Sequence, residues 1–278
     1  MTPQVLARAQ DVCALPLVRR LAAMLDRDPE TFEQGDALPR GWYPILFNIP
    51  TLQSNLREDG AGQLGLPLPD LGLPRLMIAG RRAQFMHDIP IGATVFRQSR
   101  SGEAVVKAGR SGRFALLSVE HLVFLENPDN PALIETQQYV LKPAAVPSAE
   151  QPQPTETLST AQPPGEADIS RTLLPDERLL FRYSALTDNP HRIHYDRTYA
   201  RDAEGYPELI VNGTIPLMFL LEMLREHSAS TLRVIETRNL SPMLCGQALR
   251  LCIREKEVGW RLWAEAPGGR VAFEALAA

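Results

Sequence analysis

Cysteine is scarce, with Cys13, Cys245 and Cys252 the three such residues in 278, and no CxxC pair occurs. An odd number cannot be fully bridged within one chain, so the composition excludes a disulfide framework and points to buried thiols in a reducing, cytoplasmic setting. The absence of HExxH and of paired cysteines leaves no zinc motif. Long runs of one charge are also missing. A net charge of -4 without a basic stretch excludes a nucleic-acid partner. No apolar run approaches the roughly 20 residues that span a bilayer. The start, MTPQVLARAQDVCALPLVRRLAAML, lacks the basic opening and continuous apolar core of a signal peptide, so no membrane partner is expected.

Proline and glycine are abundant, and their clustering divides the chain. Residues 4 to 25 place Val5, Cys13, Leu17, Leu21 and Leu25 at helical spacing, which predicts an amphipathic helix. Residues 36 to 74, containing GWYPILFNIP and GLPLPDLGLP, read as loops around one short helix near 42 to 47. From 76 to 142, turn signals separate strand-like segments and predict an antiparallel meander. Within it Ala115, Leu117, Val119, His121 and Val123 share one face, apolar except for the histidine. The segment PAAVPSAEQPQPTETLSTAQPPGEA has too little apolar surface to offset its ordering entropy and reads as a linker. The expected organisation is therefore a module at 1–142, a linker at 143–168 and a second module at 169–278.

The second module opens with a strand at 169 to 173, then a strand or helical turn at LLFRYSALT. Strands follow at LRVIETR, QALRLCIREKE, GWRLWAEA and RVAFEALAA, with Pro267-Gly268-Gly269 as the last hairpin. Pro90-Ile91-Gly92 in the first half echoes the segment from Pro242 to Gly246 in the second, which suggests a duplicated design.

Two features of the second module carry chemistry. DNPHRIHYD gathers Asn189, His191, His194 and Asp196. Taken alone it fits a metal site, a set of turn and cap residues, or a general acid/base centre. Residues 214 to 224 then form a helix apolar on all sides apart from Glu222, hence buried. Its start at Asn212-Gly213-Thr214 offers free backbone N–H groups and the positive end of the helix dipole. A helix-start turn explains Gly213 equally well at this point.

The span YSALTDNPHRIHYDRTYARDAEGYPELIVNGTIPLMFLL, with AGRRAQFMHDIPIGATV and KAGRSGRFALLSVEH in the first half, resembles the MaoC-like (R)-specific enoyl-CoA hydratases. It is most similar to their double-hotdog branch, which includes the mesaconyl-C4-CoA (3-methylfumaryl-CoA) and itaconyl-CoA hydratases. The resemblance implies an α+β double hotdog, each half an antiparallel sheet wrapped around a helix, with the complete buried helix in the second half. It implies His194 as the catalytic histidine and the Gly213 N–H as oxyanion donor. Where the family has an aspartate five positions before the histidine, this chain has Asn189, so water would be positioned by an amide unless Asp188 swings in. Asn212 replaces a second family histidine.

The substrate class implied is a short C5-dicarboxylic enoyl-CoA, with itaconyl-CoA to citramalyl-CoA preferred and mesaconyl-C4-CoA as the alternative. A thioesterase and a non-catalytic acyl-CoA-binding subunit remain as readings of other kinds. Arg110, Lys107 and Arg81 are candidates for the acyl carboxylate, Arg238 for the CoA phosphates, and Tyr195 for a further substrate contact. No metal or cofactor is expected, and the chain is expected to form a homodimer.

Overall fold

The computed structural model describes residues 6–48, 50–62, 69–109, 112–143 and 165–278. The first half contains β1 (Leu6–Val12), α1 (Leu15–Met24), β2 (Arg75–Phe85), β3 (Thr94–Ser101), β4 (Val105–Gly109), β5 (Gly112–Phe124) and β6 (Leu133–Lys142). The second contains β7 (Ile169–Leu173), α2 (Glu177–Leu186), α3 (Arg197–Asp202), α4 (Thr214–His227), β8 (Val234–Asn239), β9 (Leu249–Glu255), β10 (Trp260–Ala266) and β11 (Arg270–Ala277). Among the described residues these strands join one antiparallel sheet in the order β1-β3-β5-β6-β2-β8-β11-β10-β9-β7, with β4 hairpinned onto β5. This is the double-hotdog architecture that the resemblance implies. Most of the expected linker, residues 144 to 164, lies outside the described residues.

Setting β4 aside, both halves have the same strand order: first strand at the outer edge, then third, fourth and fifth, with the second at the centre. The two central strands, β2 and β8, pair from Gly80↔Arg238 to Gln84↔Val234. The echo noted in the sequence has a backbone counterpart. Gly92 N–H donates to the Cys13 carbonyl just after β1, and Gly246 N–H donates to the Pro175 carbonyl just after β7. Pro90 bridges Ala37, and Leu244 bridges Ile210.

Four residues beyond Ala37 and three beyond Ile210, the matching segments GWYPILF, starting at Gly41, and GTIPLMF, starting at Gly213, follow those bridges. In the second half this segment begins α4; in the first it gives only a 3₁₀ turn, Tyr43–Ile45. Pro50 explains the difference, because its ring opposes helix at the preceding turn. The chain instead turns away at Phe47, which takes a left-handed backbone with φ 61°. The first half thus leaves much of its sheet's inner face uncovered by a long helix.

Two expectations need correction, and a third, left between strand and helical turn, is decided. The helix expected at 4 to 25 begins as strand β1, because residues from Leu6↔Arg100 to Val12↔Thr94 pair with β3, and pairing overrides their local helix preference. The meander is not sequential, since β2 pairs with β6 and β8 rather than with β3. LLFRYSALT is helical: Asp176 caps α2 by accepting the Leu179 N–H, and Leu180, Tyr183 and Leu186 bury one face.

Helix α4 is buried along most of its length, including Ile215, Leu217, Met218, Leu220 and Leu221. Its one buried acid, Glu222, accepts from Trp42 Nε1 at 2.8 Å and pairs with Arg27 at 2.5 Å, both from the first half, and with Arg225. On the inner face of the first sheet a polar belt, Ser99, His121 and Glu135, lies in cross-strand register. It separates the main core, with Phe85, Val95, Val123 and Leu133, from a smaller cluster around Leu117, Tyr139 and Leu141.

Candidate active site

After α2 the chain reverses through Asp188, whose φ of 44° is rare for a residue with a side chain, and Asn189. Asn189 Oδ1 accepts the His191 N–H at 3.2 Å, closing an Asx turn, while its Nδ2 group has no partner among the described residues. A 3₁₀ turn, Arg192–His194, then buries the His194 ring. His194 Nδ1 lies 2.7 Å from the Ile210 carbonyl, so Nδ1 carries the proton and donates it. Nε2 is left as an acceptor with no partner among the described residues. Burial pushes the His194 pKa down to about 4, against a smaller upward pull from Ile210, so the ring is neutral near pH 7.

Ile210 lies three residues before Gly213, so the imidazole is tied within about 10 Å of chain to the start of α4. The Asn212 side chain accepts the Thr214 N–H at 2.9 Å, and its carbonyl accepts from Ile215. The Gly213 N–H has no partner among the described residues. Gly213 has φ -60° and ψ -15°, so conformational freedom is not what it supplies. It supplies space: a Cβ there would lie 2.3 Å from Asn239 Oδ1. That oxygen is itself buried without a partner, while Asn239 Nδ2 donates to the Ile78 carbonyl at 2.9 Å.

The first half reaches the same helix start. Arg81 on β2 donates to Thr214 Oγ1 and to Glu135 Oε1, each at 3.3 Å. Glu135 also accepts from Tyr43 at 2.6 Å and from Gln137 at 2.8 Å. Burial opposes the Arg81 charge, but Glu135 and the neighbouring tyrosines outweigh it and hold the guanidinium above its usual range. Tyr183 on α2 is raised, chiefly by burial, with Thr214 and Arg81 pulling the other way. A neutral imidazole, an open N–H at a helix start and a buried cation beside it can take a proton from water and receive charge on a carbonyl oxygen.

Comparison with known proteins agrees with this architecture. The family model for hydroxyacyl-thioester dehydratase type 2 matches residues 41–245. The mesaconyl-C(4)-CoA hydratase of Chloroflexus aurantiacus is 34% identical over 266 residues, covering 95% of this chain and 91% of that protein. The chain belongs to the hydroxyacyl-thioester dehydratase type 2 family. It is a MaoC-like hydro-lyase. Among solved structures, HtdX of Mycobacterium tuberculosis superposes with a TM-score of 0.68 at 16% identity, over 98% of this chain and 99% of that one. A second Mycobacterium tuberculosis protein, described as a double hotdog, gives 0.62 at 13% identity, over 100% of this chain and 96% of that one. These two likenesses speak to the fold alone.

Within this family member the other sequence candidates are scattered. Arg81 is the one substrate candidate brought to the α4 start, and it is already paired with Glu135. Lys107 is exposed on β4, and Arg110 lies outside the described residues. Arg238 is exposed and stands 3.9 Å from Glu274. Tyr195 is exposed, as is Asp188. Asp196 has a structural duty: it caps α3 through the Tyr199 N–H and pairs with Arg192 at 2.8 Å. His191 stands 3.6 Å from Asp59, a first-half acid. Burial raises the Asp59 pKa, but His191, the Ala61 N–H and Arg57 bring it below its ordinary value.

Among the described residues no group of three or more His, Cys, Asp and Glu side chains is arranged to hold a metal ion. A cleft of about 190 Å³ lined by Leu38, Arg40, Leu221 and Arg225 lies toward the other end of α4, about one helix length from Gly213. Sequence reasoning missed Tyr43, Glu135, Tyr183 and Asn239. Their common signal is a polar residue in the core-facing phase of a strand or helix, and it becomes readable only once the strands are registered.

Proposed function

We propose that this enzyme hydrates a short dicarboxylic enoyl-CoA thioester, with mesaconyl-C4-CoA as the first substrate to test and citramalyl-CoA as its product. The 34% identity to the mesaconyl-C(4)-CoA hydratase over 95% of the chain supports this order. It moves itaconyl-CoA, the preference from the sequence, to second. The observation that carries the chemistry is the buried His194 with its free Nε2, tied through Ile210 to the open N–H of Gly213.

In this reading Asn189 Nδ2 orients a water and His194 Nε2 takes its proton. The oxygen bonds to the β-carbon, and the electron pair displaced from the double bond moves to the thioester oxygen, where Gly213 N–H and the α4 dipole receive it. The imidazolium then returns its proton to the α-carbon. A ring whose pKa is pushed down to about 4 makes that return favourable. Residues 1–142 shape the acyl side of the site, 143–168 link, and 169–278 supply the reacting groups. The protein works as a cytoplasmic homodimer; the three buried, unpaired cysteines support a reducing compartment. Sheet-edge pairing between halves is already made at β2 and β8, so a dimer would use the outer edges at β1 and β7.

The test is a panel of mesaconyl-C4-CoA, itaconyl-CoA and crotonyl-CoA, followed by loss of enoyl-thioester absorbance, with a thiol reagent in parallel. Turnover of the dicarboxylic thioesters without thiol release is expected. Release of free CoA would instead make the protein a thioesterase. Thermal stabilisation by CoA esters without turnover would make it a binding subunit.

A further inference from the structure

Arg97 sits on the inner face of β3 between the buried residues Val95 and Ser99, opposite Val123 of β5. An arginine turned toward a sheet's inner face normally has a partner, because an unpaired buried donor is costly. Among the described residues Arg97 makes no ion pair, and its Nε is buried without a hydrogen bond. Its guanidinium lies over the Phe47 ring, 5.0 Å from the centroid.

The nearby acids are committed elsewhere. Glu135 serves Arg81, Tyr43 and Gln137. Asp11 accepts the N–H groups of Val12 and Phe47. His121 is kept neutral near pH 7, its pKa pushed down to about 4 chiefly by burial. Arg97 therefore stands as a cation that burial disfavours, attracted by Glu135, Tyr139 and Asp11 but ion-paired with no acid among the described residues.

Its location ties it to the reacting groups. Phe47 is held in a left-handed backbone, an expensive conformation that concentrates at functional sites. The next residue, Asn48, donates to the Leu186 carbonyl at 3.2 Å, at the end of α2 and three positions before Asn189. On the other side the belt runs from Glu135 through Arg81 to Thr214, beside Gly213.

We propose that Arg97, stacked on Phe47, binds the free carboxylate at the far end of the substrate's acyl group and so selects dicarboxylic thioesters. This rests on the hydratase reading above. Arg97 replaces Arg110 and Lys107 in that role, and Arg81 becomes a positioning residue that is already neutralised.

The test compares wild type with Arg97→Gln and Arg97→Lys on mesaconyl-C4-CoA, crotonyl-CoA and crotonyl-pantetheine. Arg97→Gln is expected to lower the ratio of kcat/KM for mesaconyl-C4-CoA over crotonyl-CoA on the order of 10²-fold. Arg97→Lys, which keeps the charge without the planar fork, should lower it less, and it carries the test if the glutamine variant does not fold. An unchanged ratio overturns the assignment. A loss seen with crotonyl-CoA but not with crotonyl-pantetheine would give Arg97 to the CoA phosphates and overturn it too. A wild type that hydrates crotonyl-CoA and no dicarboxylic thioester overturns the substrate reading and this inference together. A wild type active on mesaconyl-C4-CoA with an unaffected glutamine variant overturns the Arg97 role alone.

Discussion

At pH 7 the His194 ring carries no charge, because burial pushes its pKa down to about 4, and the Nδ1–H bond to Ile210 aims the free lone pair from Nε2. A general base works in its deprotonated form, so activity should persist as pH falls through the ordinary histidine range. The acid limb of the kcat/KM profile is expected near pH 4 rather than near 6.5. His194→Gln should remove that limb and slow turnover by about 10²–10⁴-fold. Binding of a saturated CoA ester, measured by calorimetry, should survive. A wild-type limb at 6.5 would mean that the buried His194 is not the base.

The start of α4 shows what an element adds to a residue. Gly213 has an ordinary helical backbone, so alanine would fit its φ and ψ, yet the added Cβ would strike Asn239 Oδ1. To clear it Asn239 must leave the Ile78 carbonyl, and the β2–β8 junction loosens. Gly213→Ala is expected to destabilise the protein by roughly 1–3 kcal/mol and to slow turnover as the N–H shifts. The clash makes a double-mutant cycle decisive: Gly213→Ala should cost less in an Asn239→Ala background. Additive thermal denaturation results would show that the glycine is not there for space. Element by element, α4, β5 and β8 to β11 were legible because burial imposes a clean period on their side chains. Strand β1 was not, because LARAQDV favours helix locally and is held extended by β3. Of the proposed site, His194 and Gly213 were legible through the family resemblance, the local pattern alone leaving a metal site, turn and cap residues and a helix-start turn open. Arg97 and Glu135 were not, since each is a lone polar residue whose neighbours lie on other strands.

At the scale of the whole molecule, two of the devices that join the halves stand out. One is the β2–β8 pairing, and the other is Glu222 of α4, buried and answered by Trp42 and Arg27 of the first half. Removing one partner of such a buried pair is costly, so the halves should unfold together. Each half also buries one histidine with its pKa pushed down to about 4, His121 in the first and His194 in the second. Unfolding returns both to an ordinary value of 6.5. Between those limits the unfolded chain binds more protons than the folded one, so stability is greatest above pH 6.5 and declines as pH falls toward 4. Asp59, lowered from 3.8, adds its loss only below that window, while Glu177 and Glu226, lowered from 4.5, begin to add theirs at its lower end. If the sheet unfolds as a unit, urea titrations should show one transition whose stability falls by roughly 2.5 kcal/mol per pH unit near pH 5. His121→Gln or His194→Gln should each halve that slope. Two transitions, each sensitive to the histidine of its own half, would show instead that the shared sheet and Glu222 do not couple the halves.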